Sequence, residues 1–77
     1  MSASLAQQDL DHLFHPATDL AGHSQAGPVI WSKGQGVHVW DDQGRRYLEG
    51  MAGLWCTALG YGEKELARAA AEQMEAF

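Results

Sequence analysis

The stretch GVHVWDDQGRRYLEG (residues 36–50) decides how this chain folds. Residues 37–41 alternate apolar and polar side chains, which is the period of a half-buried β-strand. Residues 41–44 read Asp-Asp-Gln-Gly, a composition typical of a tight turn in which Gly44 can adopt a positive φ. Residues 45–49 follow as a returning strand, so we predict an antiparallel hairpin whose register the pattern alone leaves open. The side chains predicted to share one face are Val37, Val39 and Tyr47.

The hairpin is flanked by further elements. Residues 28–33 are rich in β-branched and aromatic side chains and predict another strand, which glycines at 34 and 36 interrupt. Residues 50–62 combine four glycines with large apolar side chains, too apolar for a solvated loop and too rich in glycine for a regular element. Residues 63–77 predict an amphipathic helix, because apolar residues recur three and four apart. The residues on that face are Leu66, Ala70, Met74 and Phe77.

The N-terminal part predicts less regular structure. We assign residues 1–8 to a flexible tail, because they are small and polar. Asp9 is the predicted N-cap of a short helical turn that Pro16 closes. Residues 20–27 are rich in Gly, Ser and Gln and predict a loop.

Composition excludes several classes of protein. The net charge of −5, with no basic stripe, argues against binding to nucleic acid. No apolar run approaches the ~20 residues of a membrane span, and no basic residue precedes Lys33, so we expect neither a membrane segment nor a signal peptide. The single cysteine, Cys56, cannot form an internal disulfide and suits a cytoplasmic location.

The length of 77 residues is small for an independent domain. A chain of this size buries only about 60% of its unfolded surface, and neither a disulfide nor an evident metal site compensates. The predicted helix over residues 63–77 reaches the last residue without the glycine, basic turn or proline that commonly ends a helix. We therefore expect this sequence to be part of a longer chain.

Four motifs in unbroken order carry a resemblance to a known family. They read HPAT (residues 15–18), GVHVWDDQG (36–44), YLEGMAGLWC (47–56) and LGYG (59–62). Together they resemble the N-terminal part of class III, pyridoxal-phosphate-dependent aminotransferases. The third motif favours the branch that transfers an amino group from an amine or ω-amino acid to a 2-oxo acid such as pyruvate.

The resemblance implies an α/β fold of the aspartate-aminotransferase type, fold type I, assembled as a homodimer or higher oligomer. Residues 9–77 would be an incomplete segment of the small domain: a short helix, a small antiparallel sheet, an active-site loop and a helix. The cofactor would be pyridoxal 5′-phosphate. Its Schiff-base lysine and binding residues would lie beyond residue 77, and Lys33 and Lys64 read as solvated lysines. We thus assign no catalytic or cofactor-binding residue here and expect the chain alone to be inactive.

The resemblance also implies a substrate-binding role for three residues. The family positions matching Leu54 and Trp55 line the pocket for the substrate side chain, and glycine beside them lets the backbone approach a ligand. The alternative for Trp55 is packing in a core. Ala17 stands where the family usually has a phenylalanine that reaches the pocket, which implies a roomier pocket. Glu49 replaces the usual aspartate.

Other functions were weighed against this one. His12 and His15 are three apart, but Pro16 ends the turn and no carboxylate or cysteine stands at a familiar ligand spacing, so we predict no metal site. One alternative is a truncated, non-catalytic chain that at most binds an intact subunit. Another is a different class III enzyme, a mutase or a decarboxylase.

Overall fold

The computed structural model describes residues 4–77 and separates the chain into two compact units, Met1–Ile30 and Trp31–Phe77. We describe each unit by itself. The elements in chain order are α1 (Leu5–His12), α2 (Leu20–Ala26), β1 (Trp31–Gln35), β2 (His38–Asp41), β3 (Arg46–Leu48), α3 (Ala52–Trp55) and α4 (Lys64–Ala76). None of the helices within residues 4–77 has both the length and the apolar character needed to cross a membrane.

Helix α1 begins earlier than predicted. Ser4 is its N-cap, and the Ser4 hydroxyl accepts the backbone N–H of Gln7 at 3.1 Å. A serine in this position satisfies an N–H that the helix itself leaves without a partner. The assignment of Asp9 as N-cap is therefore wrong. Residues 5–8, which we assigned to a flexible tail, form the first half of α1, whereas residues 1–3 lie outside the described residues.

Helix α2 replaces the loop predicted over residues 20–27. Asp19 is its N-cap residue, and Gly27 ends it with φ of 75°. Aspartate before a helix and glycine after it are common boundary signals. The prediction weighed the Gly, Ser and Gln content above these two signals, and it was wrong for that reason.

The three strands form one antiparallel sheet in the order β1-β2-β3. The hairpin is confirmed: Val39 lies opposite Tyr47, and Trp40 lies opposite Arg46. Val39 is the one hydrophobic residue classed as buried among residues 4–77. Strand β1 occupies Trp31–Gln35 rather than residues 28–33, so Gly34 lies inside the strand instead of breaking it.

The buried carboxylate of Asp41 holds the turn between β2 and β3. Asp41 Oδ1 accepts the backbone N–H groups of Gln43 and Arg45, both at 2.9 Å. Asp41 Oδ2 accepts Arg45 Nε at 2.7 Å and the Tyr47 hydroxyl at 3.0 Å. Burial acts to raise the pKa of Asp41, but these hydrogen bonds outweigh it and lower the pKa to about 2. Gly44, with φ of 82°, completes the turn as predicted.

The segment after the sheet is fixed to it through Tyr61. The backbone of Tyr61 exchanges two hydrogen bonds of 2.9 Å with Gly36. A Cβ atom on Gly34 would stand 2.8 Å from the Tyr61 side chain, so only glycine lets the ring lie this close to β1. Tyr61 is thereby held over the sheet, directly before α4.

We expect the isolated 77-residue chain to be poorly folded or prone to aggregate. Large apolar side chains are exposed along α3 and α4, including Trp55 at 87% and Met74 at 79%. Exposed apolar surface of this kind drives association when no partner covers it. Thermal unfolding followed by circular dichroism, together with size-exclusion chromatography, checks this expectation. A soluble monomer with a cooperative transition would contradict it.

Candidate functional site

The most unusual backbone in the described chain is the turn at Ala52–Trp55. Its φ angles are 50°, 59°, 62° and 71° for Ala52, Gly53, Leu54 and Trp55. Three of these residues carry a side chain, and the left-handed conformation costs such a residue roughly 1–2 kcal/mol. Strain of this kind persists only where surrounding contacts impose it, and it concentrates at functional sites.

Glu49 supplies contacts that hold this turn. Its Oε1 accepts the Met51 N–H at 2.7 Å, and its Oε2 accepts the Gly53 N–H at 3.0 Å. The Tyr61 hydroxyl donates a third hydrogen bond to Oε2 at 3.1 Å. Burial acts to raise the pKa of Glu49, but the hydrogen bonds from Gly53, Met51 and Tyr61 outweigh it and lower the pKa. We call Glu49, with these three hydrogen bonds, the Glu49 clasp.

The clasp forms part of the wall of a cleft of about 480 Å³ in the unit Trp31–Phe77. Glu49, Gly53 and Tyr61 line it together with residues of β1 and β2. The volume is in the range of small-molecule sites. The polar and charged side chains among its lining residues include Glu49, Lys33 and Ser32, beside the apolar Trp31 and Val39.

The three predicted substrate-binding residues lie in different settings. Leu54 and Trp55 project from the left-handed turn and are 63% and 87% exposed, and neither lines the cleft. Packing of Trp55 into a core is thus not seen within the described chain. Ala17 is exposed in the other unit, Met1–Ile30, with φ of 54°. Their role as a pocket wall stays a prediction.

Neither lysine fits covalent attachment of pyridoxal phosphate. The Lys33 ammonium lies 4.6 Å from the centroid of the Trp40 ring, within the range of a cation–π contact. Lys64 is exposed at the first residue of α4. Attachment needs an amine held in a desolvated pocket or beside another cation, whereas both lysines are exposed.

Sequence reasoning missed a cluster in the unit Met1–Ile30. Buried Asp9 accepts His15 Nε2 at 2.6 Å and His23 Nε2 at 2.9 Å, and the two imidazole rings lie 4.6 Å apart. The structure thus pairs His15 with His23, whereas the sequence argument paired it with His12. Burial acts to raise the pKa of Asp9, but the bonds from His23 and His15 lower it.

Ligand-type atoms of this cluster lie within 4.8 Å of one another, which raises the question of a metal. Two ligands of a tetrahedral zinc ion stand about 3.3 Å apart when each bond is about 2.0–2.1 Å. The observed separations of 2.6 and 2.9 Å are those of hydrogen bonds instead. These hydrogen bonds join α1, α2 and the segment between them.

Comparison with known proteins identifies the family. The family model described as "Aminotransferase class-III" matches residues 20–77. The putrescine–pyruvate aminotransferase of Pseudomonas aeruginosa is 45% identical over 64 residues, which are 83% of this chain and 14% of that protein. An uncharacterized aminotransferase of Bacillus subtilis is 46% identical over 71 residues, 92% of this chain and 15% of that protein. The chain thus spans about one seventh of the length of these relatives.

Solved structures agree with the sequence matches. The ω-transaminase of Pseudomonas jessenii in complex with PMP superposes with a TM-score of 0.89 at 41% identity, over 97% of this chain and 17% of that one. An (S)-enantioselective ω-transaminase of Thermomicrobium roseum gives 0.87 at 49% identity, over 92% and 16%. Because both sequence and backbone match over most of its length, this chain belongs to the class III aminotransferases and has the corresponding part of their α/β fold.

Proposed function

We propose that this chain is the N-terminal segment of an ω-transaminase, which moves an amino group from an amine or ω-amino acid to a 2-oxo acid such as pyruvate. The observation that carries this proposal is the match to the ω-transaminase of Pseudomonas jessenii, which is 41% identical over 97% of this chain. Pyridoxal phosphate, when bound, supplies the chemistry of amino transfer. The described residues do not fit its attachment, so their part is to shape the substrate site.

Leu54 and Trp55 are the residues we propose for the substrate pocket. A left-handed turn presents both outward, where a neighbouring part of a complete protein or a substrate can contact them. Among the structural relatives, a P. jessenii variant with one tryptophan replaced by glycine was engineered for the synthesis of bulky amines. We infer that Trp55 is the counterpart of that tryptophan. Ala17, which is smaller than phenylalanine, would make room in the same pocket.

The remaining features of the proposal concern the complete protein. We propose that residues 9–77 belong to its small domain, that it assembles as a homodimer or higher oligomer, and that it works in the cytoplasm. The supports are family membership and a single cysteine. No described residue favours the mutase or decarboxylase alternative over amino transfer.

The direct test uses the complete protein that contains this chain, loaded with pyridoxal phosphate. Putrescine, a small ω-amino acid and an aromatic amine are each supplied with pyruvate, and formation of alanine is measured. We expect alanine from at least one amine donor. Absence of alanine with every donor, from protein that has bound the cofactor, would refute the proposal.

We further expect that the 77-residue chain alone attaches no pyridoxal phosphate, because Lys33 and Lys64 are both exposed rather than held in a desolvated pocket. The chain is incubated with the cofactor and borohydride, and its tryptic peptides are examined by mass spectrometry. A specific, stoichiometric adduct on Lys33 or Lys64 would contradict this expectation. The complete protein treated in the same way is the positive control.

A further inference from the structure

The left-handed turn at Ala52–Trp55 needs support from outside itself. Its own hydrogen bonds, such as Trp55 N–H to Met51 O at 3.1 Å and Cys56 N–H to Ala52 O at 2.7 Å, close the turn. They do not favour the left-handed form for alanine, leucine or tryptophan, which ordinarily avoid it. Some other group must therefore select this conformation.

The Glu49 clasp has the geometry to do so. Its two carboxylate oxygens take the N–H groups of Met51 and Gly53, one just before the turn and one within it. The N–H of Glu49 itself donates to Val37 O at 2.8 Å, which ties the carboxylate to the hairpin. The clasp thus connects the strained turn to the hairpin.

Tyr61 is the third hydrogen-bond donor to the Glu49 carboxylate. Its backbone is fixed by the paired hydrogen bonds with Gly36, and its hydroxyl reaches Glu49 Oε2. A Cβ atom on Gly53 would stand 3.2 Å from the Tyr61 hydroxyl oxygen and 3.3 Å from a methyl carbon of Thr57. Gly53 is thus closely approached by Tyr61 and Thr57, while the side chains of Leu54 and Trp55 remain exposed.

We infer that Glu49 is a positioning residue for substrate choice: it holds the turn in the conformation that presents Leu54 and Trp55. This inference rests on the proposed function, because it takes those two side chains as the pocket wall. The Glu49 side chain reaches Met51, Gly53 and Tyr61 together. An aspartate is one methylene shorter and would reach fewer of these three donors.

The experiment uses the complete, cofactor-loaded protein and four variants. Glu49→Ala removes the clasp, Glu49→Asp shortens it, and Tyr61→Phe removes one of its donors. Glu63→Gln is the matched control, because Glu63 is exposed and its side chain makes no capping hydrogen bond. Two quantities are measured for each: amide hydrogen exchange over residues 51–55, and the ratio of kcat/KM for a bulky and a small amine.

We expect Glu49→Ala to speed exchange over residues 51–55 roughly tenfold and to change the amine ratio about tenfold. Glu49→Asp and Tyr61→Phe should each change the exchange rate and the amine ratio less than Glu49→Ala does. Glu63→Gln should leave the exchange rate and the amine ratio unchanged. If the Glu49→Ala variant exchanges its amide hydrogens over residues 51–55 at the wild-type rate, Glu49 does not hold the turn. Faster exchange with an unchanged amine ratio would overturn its role in substrate choice.

The experiment remains decisive if Glu49→Ala is unstable or if the wild-type protein is inactive. If Glu49→Ala lowers the melting temperature of the whole protein, Glu49→Asp and Tyr61→Phe decide by the same two measurements. If wild-type protein transfers no amino group from any amine, the proposed function fails and the role in substrate choice fails with it. The exchange rates still decide separately whether Glu49 holds the turn.

Discussion

Replacement of Asp41 by alanine is expected to destabilise the protein more than any other exchange of a single carboxylate in the unit Trp31–Phe77. The variant leaves the N–H groups of Gln43 and Arg45 without their acceptor, and it also removes the partner of the Tyr47 hydroxyl. A buried N–H that loses its acceptor costs about 1–3 kcal/mol. We expect the melting temperature of the complete protein to fall by about 5 °C or more. Asp42→Ala, at the exposed neighbouring residue, is the matched control.

The same carboxylate predicts a dependence of stability on pH. The pKa of Asp41 is lowered from its ordinary value of 3.8 to about 2 in the folded chain. A group whose folded pKa is lowered contributes stability that is fully present above the unfolded pKa and is lost as pH falls through the folded pKa. The difference in stability between wild type and Asp41→Asn should therefore shrink between pH 4 and pH 2. A difference that is constant over this window, or an Asp41→Ala variant that melts like Asp42→Ala, would contradict the assigned role.

Replacement of Trp55 by alanine is expected to change substrate choice more than stability. Trp55 is 87% exposed within the described chain, so its truncation removes little of the packing inside this segment. In a substrate pocket the exchange should shift the ratio of kcat/KM between a bulky and a small amine by about 1–3 kcal/mol. Both amines and the melting temperature are measured on the same preparation of the complete protein.

A large loss of stability with no change in substrate choice would instead identify Trp55 as a core residue. If Trp55 packs into a core of the complete protein, truncation should cost about 3–5 kcal/mol of stability and leave the ratio unchanged. Ala17→Phe is the companion variant, since it restores the larger side chain that the family usually carries. It should disfavour bulky amines, and an unchanged ratio would show that residue 17 does not face the pocket.

Hydrophobic periodicity and turn composition were sufficient for the hairpin and for α4. The alternation over residues 37–41 and the turn composition over 41–44 predicted the hairpin, and spacing of three and four predicted α4. Motif order alone was enough to indicate the family, which the comparisons confirmed. These features are local, so neighbouring residues contain the necessary information.

The same local reasoning failed at α1 and α2, where single capping residues indicated a helix but the overall composition indicated a tail or a loop. The helix over Leu20–Ala26 contains Gly22, which favoured a loop in the prediction, whereas Asp19 and Gly27 mark the two ends of the helix. Helix α1 likewise depends on Ser4, one small side chain ahead of it. Boundary residues of this kind were visible in the sequence but were given too little weight.

Other features depend on contacts between residues far apart in the chain. Asp9 meets His23 across fourteen positions, and Glu49 meets Tyr61 across twelve, so no periodicity reveals either pair. The left-handed turn at Ala52–Trp55 contradicts the preferences of three of its own residues. The sequence by itself determined the β2–β3 hairpin, α4 and the family. Only the tertiary structure decided which carboxylates are buried and how the Leu54–Trp55 turn is held, because hydrogen bonds between distant segments outweigh local backbone preference there.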